Sequence, residues 1–168
     1  MSSLAAVSLA CLLVAPMACS KALPDEGTLT STSDKVSATG AYTRVAIDSV
    51  ERLSIEDGKL VLHGASGRVA VDLPPNADPG QKNRGWALVT EGEDEGARTL
   101  TFTQETSLED FSVRVPKADG QIAYGSLGGR NGHDILVFAY GTASKAYWAW
   151  VEIAGDRKST RLNSSHRT

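Results

Sequence analysis

At 168 residues the chain is long enough for one domain with a real core and short for two. An apolar share of 41% and a charged share of 22% are ordinary for a soluble globular protein. The formal charge of −3 includes four bases and no acid in the last twelve residues (Arg157, Lys158, Arg161, Arg167); without their +4 the remainder stands at −7. An acidic body with no basic patch speaks against nucleic acid and against electrostatic docking on anionic lipid, both of which need clustered Lys and Arg.

Residues 4–18 (LAAVSLACLLVAPMA) form an apolar run of fifteen, short for a membrane span and suited to the core of an export signal. It ends at Ala18-Cys19-Ser20-Lys21, where the chain turns polar at once. A small residue before Cys at this point resembles the lipobox of bacterial lipoproteins. That resemblance implies that Cys19 becomes the acylated first residue and ties the protein to a membrane. Pro16 and Met17 depart from the usual pattern, and Met1-Ser2-Ser3 lacks the expected base. The alternative is an ordinary secretory signal cut after Ser20 or Ala22. Either way the protein is expected outside the cytoplasm, in the cell envelope (outer membrane or periplasm) or secreted. Cys11 leaves with the leader, so the folded body holds no cysteine and no disulfide framework.

Residues 20–42 are rich in Ser, Thr, Gly and Asp and read as a polar tether. From residue 43 to 155 the pattern changes to short alternating runs broken by turn residues, the mark of strands. Val45 and Ile47 alternate, then Leu53 and Ile55. Asp57-Gly58 is a two-residue hairpin turn, after which Leu60 and Leu62 resume. The turn at 64–67 leads to Val69, Val71 and Leu73. A loop at 74–80 comes before Trp86 and Leu88, and the acidic loop at 91–96 leads to Leu100 and Phe102. Phe111, Val113 and Val115 stop at Pro116. Ile122 and Tyr124 precede a turn at 128–132, and a final hairpin joins 135–140 to 147–153. No stretch carries a helical period. Eight or nine strands at such spacing predict an all-β domain, an antiparallel sandwich or small barrel.

An internal echo relates Val71-Asp72-Leu73-Pro74, with its following Ala77-Asp78, to Val113-Arg114-Val115-Pro116 with Ala118-Asp119. Shared turn composition is enough to produce it; a true repeat would give two related half-sheets facing each other. Residues 156–168 carry no apolar period, and the order Ser-Thr-Arg-Leu-Asn-Ser-Ser-His resembles translated sequencing-adapter sequence. The expectation is a disordered, non-native tail.

Catalytic motifs are weak. His63 and His133 are the body's two histidines, each near a turn, and Asp134 follows the second. A metal site wants three or four converging ligands, and spacing nominates no third, so neither metal nor cofactor is expected. Ser66 sits in a hairpin turn, not on the strand-to-helix elbow that exposes a nucleophile. Glu91, Glu93, Asp94 and Glu95 lack the ligand order of a calcium loop and read as a solvated hairpin tip. A small hydrolase-like or metal-dependent envelope enzyme around His63, His133 and Asp134 is the second reading.

The first rests on the last hairpin. Period-two geometry puts Tyr147, Ala149, Val151 and Ile153 on one face and Trp148, Trp150 and Glu152 on the other. The partner run at 135–140 is apolar on both faces, so something must cover the second. The protein itself, a partner protein, or a carbohydrate-like ligand stacking on the indoles are the three covers. Trp148, Trp150, Phe138 and Tyr140 are the candidate binding residues, with Trp86 as an outlier. The expected role is non-catalytic binding or structural interaction in the envelope.

Overall fold

The computed structural model describes residues 23–155, apart from 32, 34 and 144. Cys19, the segment read as a leader and the residues from 156 onward lie outside the described residues. Within them the protein is all-β, with twelve strands and no helix. These are β1 (Glu26–Thr30), β2 (Val36–Val45), β3 (Arg52–Glu56), β4 (Lys59–His63), β5 (Arg68–Asp72) and β6 (Ala77–Asp78). After them come β7 (Trp86–Glu93), β8 (Ala97–Gln104), β9 (Asp110–Pro116), β10 (Ala123–Gly129), β11 (Asp134–Thr142) and β12 (Lys145–Gly155).

Six strands form one antiparallel sheet in the order β1-β2-β12-β11-β10-β6, with the β11–β12 hairpin at its centre. The other six form two three-stranded meanders, β3-β4-β5 and β7-β8-β9. Side chains alternate across a strand, so the central sheet presents two sets of residues. Leu136, Phe138, Tyr140, Tyr147, Ala149, Val151 and Ile153 meet Leu100, Phe102, Phe111, Val113 and Val115 of the β7–β9 meander in a first core. Ile135, Val137, Ala139 and Ala146 meet Leu60 and Leu62 of the β3–β5 meander in a second core. The hairpin that is apolar on both faces is therefore covered twice by the protein itself. Every residue of β11 from Asp134 to Gly141 is buried.

Local chemistry explains the meanders. Asp57 and Gly58 both hold positive φ, 50° and 73°, as a tight turn between twisted strands requires. The Glu56↔Lys59 pair closes that hairpin. On the β7–β9 meander, Leu100 and Phe102 alternate with half-exposed Thr99, Thr101 and Thr103, giving one dry and one wet face. β9 also packs against β1 and β2, and β7 against β10, so sheet and meander close around the first core as an open, barrel-like sandwich.

The fold begins earlier than composition suggests. β1 (26–30) and all but the last three residues of β2 (36–45) lie inside the segment 20–42 read as a tether. Their sparse apolar residues, Leu29, Val36, Ala38 and Tyr42, all face the first core, and Thr30, Ser37 and Thr39 beside them are exposed. Outward threonine is compatible with a strand as readily as with a linker. The loop at 74–80 likewise contains β6, which adds two residues to the edge of the central sheet.

Gly40 marks the tightest passage. A Cβ there would overlap the Trp150 carbonyl oxygen and crowd the Val151 backbone, where β2 curls against β12. Backbone cannot swing aside as a side chain can. Gly40→Ala should cost at least about 4 kcal/mol or prevent folding, as a core backbone clash does. Urea denaturation of the variant beside the parent checks this.

Candidate functional site

The four candidate binding residues separate onto opposite faces of the central sheet. Cross-strand register pairs Phe138 with Ala149 and Tyr140 with Tyr147, whereas Trp148 pairs with Ala139 and Trp150 with Val137. Phe138 and Tyr140 are fully buried, at 0% exposure, in the first core. Phe138 packs 5.6 Å from Phe102, and the Tyr140 hydroxyl donates to the Pro116 carbonyl at 2.7 Å. Burial lifts the Tyr140 hydroxyl far above the ordinary tyrosine range. Neither can meet a ligand in this fold. Trp86 is also buried, edge-on to Phe111, and its indole N–H donates to Asp134 at 2.9 Å.

Trp148 and Trp150 remain. Both pack against the second core and stay half-buried, so part of each indole is accessible. Register defines the rungs around them. Trp148 lies between Ala139 and Thr43, followed outward by Glu26; Trp150 lies between Val137 and Ala41, followed by Thr28. The next rung holds Ile135, Glu152, Thr39 and Thr30. Ile135, Val137 and Ala139 are buried, whereas Glu26, Thr28, Thr30, Thr39 and Thr43 are exposed. The indoles thus stand on the line where the β3–β5 cover ends and a floor of short side chains begins. At one end of this strip, a concavity of about 380 Å³ takes in the Val45–Ala146 rung together with Arg44, Ala46, Ala143 and Lys145.

Glu152 occupies the other end. His133 Nδ1 lies 2.8 Å from its Oε1, which also accepts a bond from the Asn131 amide, and Asn76 donates to Oε2 at 3.3 Å. Burial pushes the Glu152 carboxyl up, but the bonds from His133, Asn131 and Asn76 outweigh it and hold the group below its ordinary range. The bonds from the His133 ring and two amides leave an ionised acceptor two residues from Trp150. Parity placed Glu152 on the tryptophan face; nothing in the sequence signalled that residues 76, 131 and 133 would gather on it.

His63, His133 and Asp134 do not share a centre. Asp134 turns into the first core, where it accepts from Trp86 and from Arg84 Nε at 2.8 Å. His133 turns the opposite way, to Glu152. His63 is on the outer face of the β3–β5 meander, in the rung of Arg52 and Arg68. Its Nε2 lies 2.7 Å from Ser54 Oγ and 3.4 Å from Glu56 Oε1. Ser54 in turn donates to Glu56 at 2.9 Å, and Arg68 pairs with Glu56. In a Ser–His–acid triad the acid orients the ring through its far nitrogen. Here Glu56 reaches the same nitrogen that meets Ser54, an arrangement that ties the strand faces together. Among the described residues no group of three His, Cys, Asp or Glu could hold a metal ion.

The acidic loop is also internally occupied. Glu91 pairs with the buried Arg98 at 2.7 Å, Asp94 with Arg114 at 2.6 Å, and Glu93 with Lys117 at 3.6 Å. Ser66, in the turn after β4, bonds Asp48 and no histidine.

Compared with protein-family models, curated proteins and solved structures, the chain matches none of them.

Two measurements follow. Asp134→Ala leaves the buried Trp86 N–H and Arg84 without their acceptor and should cost about 3 kcal/mol, read by urea denaturation. Because the Glu152 pKa is depressed in the fold, its bonds stabilise fully above the unfolded glutamate value of about 4.3 and are lost as pH falls through the lower folded value. Glu152→Gln should therefore flatten the acid limb of the Tm-versus-pH curve below about pH 4. An unchanged limb would remove the argument.

Proposed function

We propose that this protein is an exported cell-envelope domain with a non-catalytic binding role, carried by the Trp148–Trp150 strip of its central sheet. The observation that carries the reading is the position of the two indoles. Each is anchored in the second core yet partly open, beside a row of exposed small residues. An indole held by packing has little freedom left to lose on binding, so its contact area is available at low entropic cost. Fixed aromatics with a few polar groups at the margin are the usual make-up of a recognition surface.

Export is supported by the fifteen-residue apolar run and by its abrupt end at Cys19. A lipid on Cys19 would leave only a handful of residues before β1, holding the domain close to its membrane. Cleavage after Ser20 or Ala22 would release it.

Thr43 is the residue to change, because it is exposed, pairs with Trp148 and supports no core. Thr43→Arg should abolish co-sedimentation of the full-length protein with purified bacterial envelopes while leaving its Tm unchanged. Thr99→Arg, on the outer face of the β7–β9 meander, should sediment as the parent does. Equal sedimentation of all three proteins would count against the strip. Mass spectrometry of the mature N-terminus, expressed in a bacterial host, tests the anchor: a diacylglyceryl mass on Cys19 supports it, and an unmodified N-terminus beyond Cys19 removes it.

A further inference from the structure

We infer that the ligand of this strip is a neutral carbohydrate chain lying along β12, with its sugar faces on Trp148 and Trp150 and its hydroxyls on the Glu152 cluster. The inference rests on the binding role proposed above and names the chemistry of its occupant.

Three features select that chemistry. First, the indoles stand on the face of a sheet, on a strand paired on both sides, β12 between β2 and β11; β1, at the sheet edge, is paired on one side only. An extended peptide recognised by strand addition needs an open edge with free N–H and C=O groups. At Trp148 and Trp150 the strand has no such edge, so there only side chains can read the ligand. Second, those side chains are two indoles at consecutive same-face positions, about 7 Å apart along the strand. Indole faces are electron-rich and attract positively polarised C–H groups, which a pyranose ring presents on its flat sides.

Third, charge speaks against an anionic ligand. The rungs of Trp148, Trp150 and Glu152 carry two carboxylates, Glu26 and Glu152, and no Lys or Arg. Arg44 and Lys145, at the concavity, lie against Asp25 and over the Tyr147 ring. An anionic polymer would meet the Glu26 and Glu152 carboxylates, at a cost that rises as water leaves the contact. A polyol meets what it needs: ionised Glu152 to accept from its hydroxyls, and the Asn76 and Asn131 amides and the His133 ring already oriented around that carboxylate. The four exposed threonines of the floor, Thr28, Thr30, Thr39 and Thr43, add groups that both donate and accept.

The test titrates the full-length protein with cellohexaose, N-acetylchitohexaose and xylohexaose, watched by tryptophan fluorescence and by saturation-transfer NMR. Trp86 is buried, so a blue shift on titration reports Trp148 and Trp150. At least one hexasaccharide should bind with a millimolar or tighter Kd. Thr43→Arg should then weaken it about tenfold or more, the loss expected when a stacking contact is blocked. Glu152→Gln, which keeps shape but gives up the charged acceptor, should weaken it by about threefold to tenfold. Binding that neither variant changes overturns the inference, as does the absence of binding to all three probes. In the second case envelope sedimentation separates the two ideas. If Thr43→Arg still abolishes sedimentation, the strip binds something other than a neutral glycan; if it does not, the binding role falls as well.

Discussion

The β11–β12 hairpin imposes the architecture. Nearly every side chain of these strands is apolar, so whichever way the hairpin turns, both faces must leave water. Burying apolar surface is worth about 25 cal/mol per Å², and a strand dry on one side only would forgo half of that. One sheet packed on another satisfies a single face. The chain therefore folds into three layers, with the hairpin in the middle sheet and one meander on each side. Its other features follow from how well each meander covers its face.

The first face is sealed, and its polar groups show how completely. Arg98, 5% exposed on β8, places its guanidinium 5.2 Å over the Tyr140 ring and donates to the Ala118 carbonyl at 2.8 Å and the Gly120 carbonyl at 3.1 Å. Glu91 supplies its counter-charge. Elsewhere in the same core, Asp134 holds Trp86 and Arg84. Gln104, likewise buried, accepts from Ser107 and donates to Thr106. Buried polar groups cost free energy unless partnered, so these three tolerate no neighbour lost. They fix where the meander sits more strictly than leucine against leucine could.

Cover on the second face is shorter. Strands β3, β4 and β5 have five residues each, roughly 17 Å of length, against ten and eleven residues in β2 and β12. Such a small meander cannot roof the whole sheet. Chemistry follows that shortfall: where the roof ends, β2 and β1 switch to Thr, Ser and Ala, and the two tryptophans straddle the line. The echo between residues 71–78 and 113–119 falls at matching places, the third strand of each meander and the chain just after it. The two covers thus share a plan and differ in reach, since the β7–β9 strands have seven or eight residues.

Sequence pattern made the strands legible because alternation and turn residues are local signals. Asp57-Gly58, Val113 and Val115 before Pro116, and the terminal hairpin are all readable without tertiary knowledge. β1 and most of β2 were not, because two strands with four apolar core residues between them, among many Ser and Thr, have the composition of a linker. Grouping Phe138 and Tyr140 with the tryptophans failed for a related reason. Parity within a strand is local, but which parities of two strands share a face depends on register across the turn, and Phe138 falls opposite Ala149, not Trp148 or Trp150. Asn76, Asn131 and His133 converge on Glu152 from the β5–β6 and β10–β11 connections, a juxtaposition that only the closed sheet creates.

That convergence gives the proposed binding strip its logic. A binding surface built from core residues loses stability with each change, while one built from loops loses precision. Trp148 and Trp150 escape both limits: one side of each is fixed by the second core, and the exposed side borders threonines that support nothing. Glu152 is held the same way, ionised by three partners rather than by solvent, and so kept in place whether or not a ligand is present. The floor residues can then vary without disturbing the fold, and the indoles and carboxylate that would do the recognising stay where the central hairpin puts them.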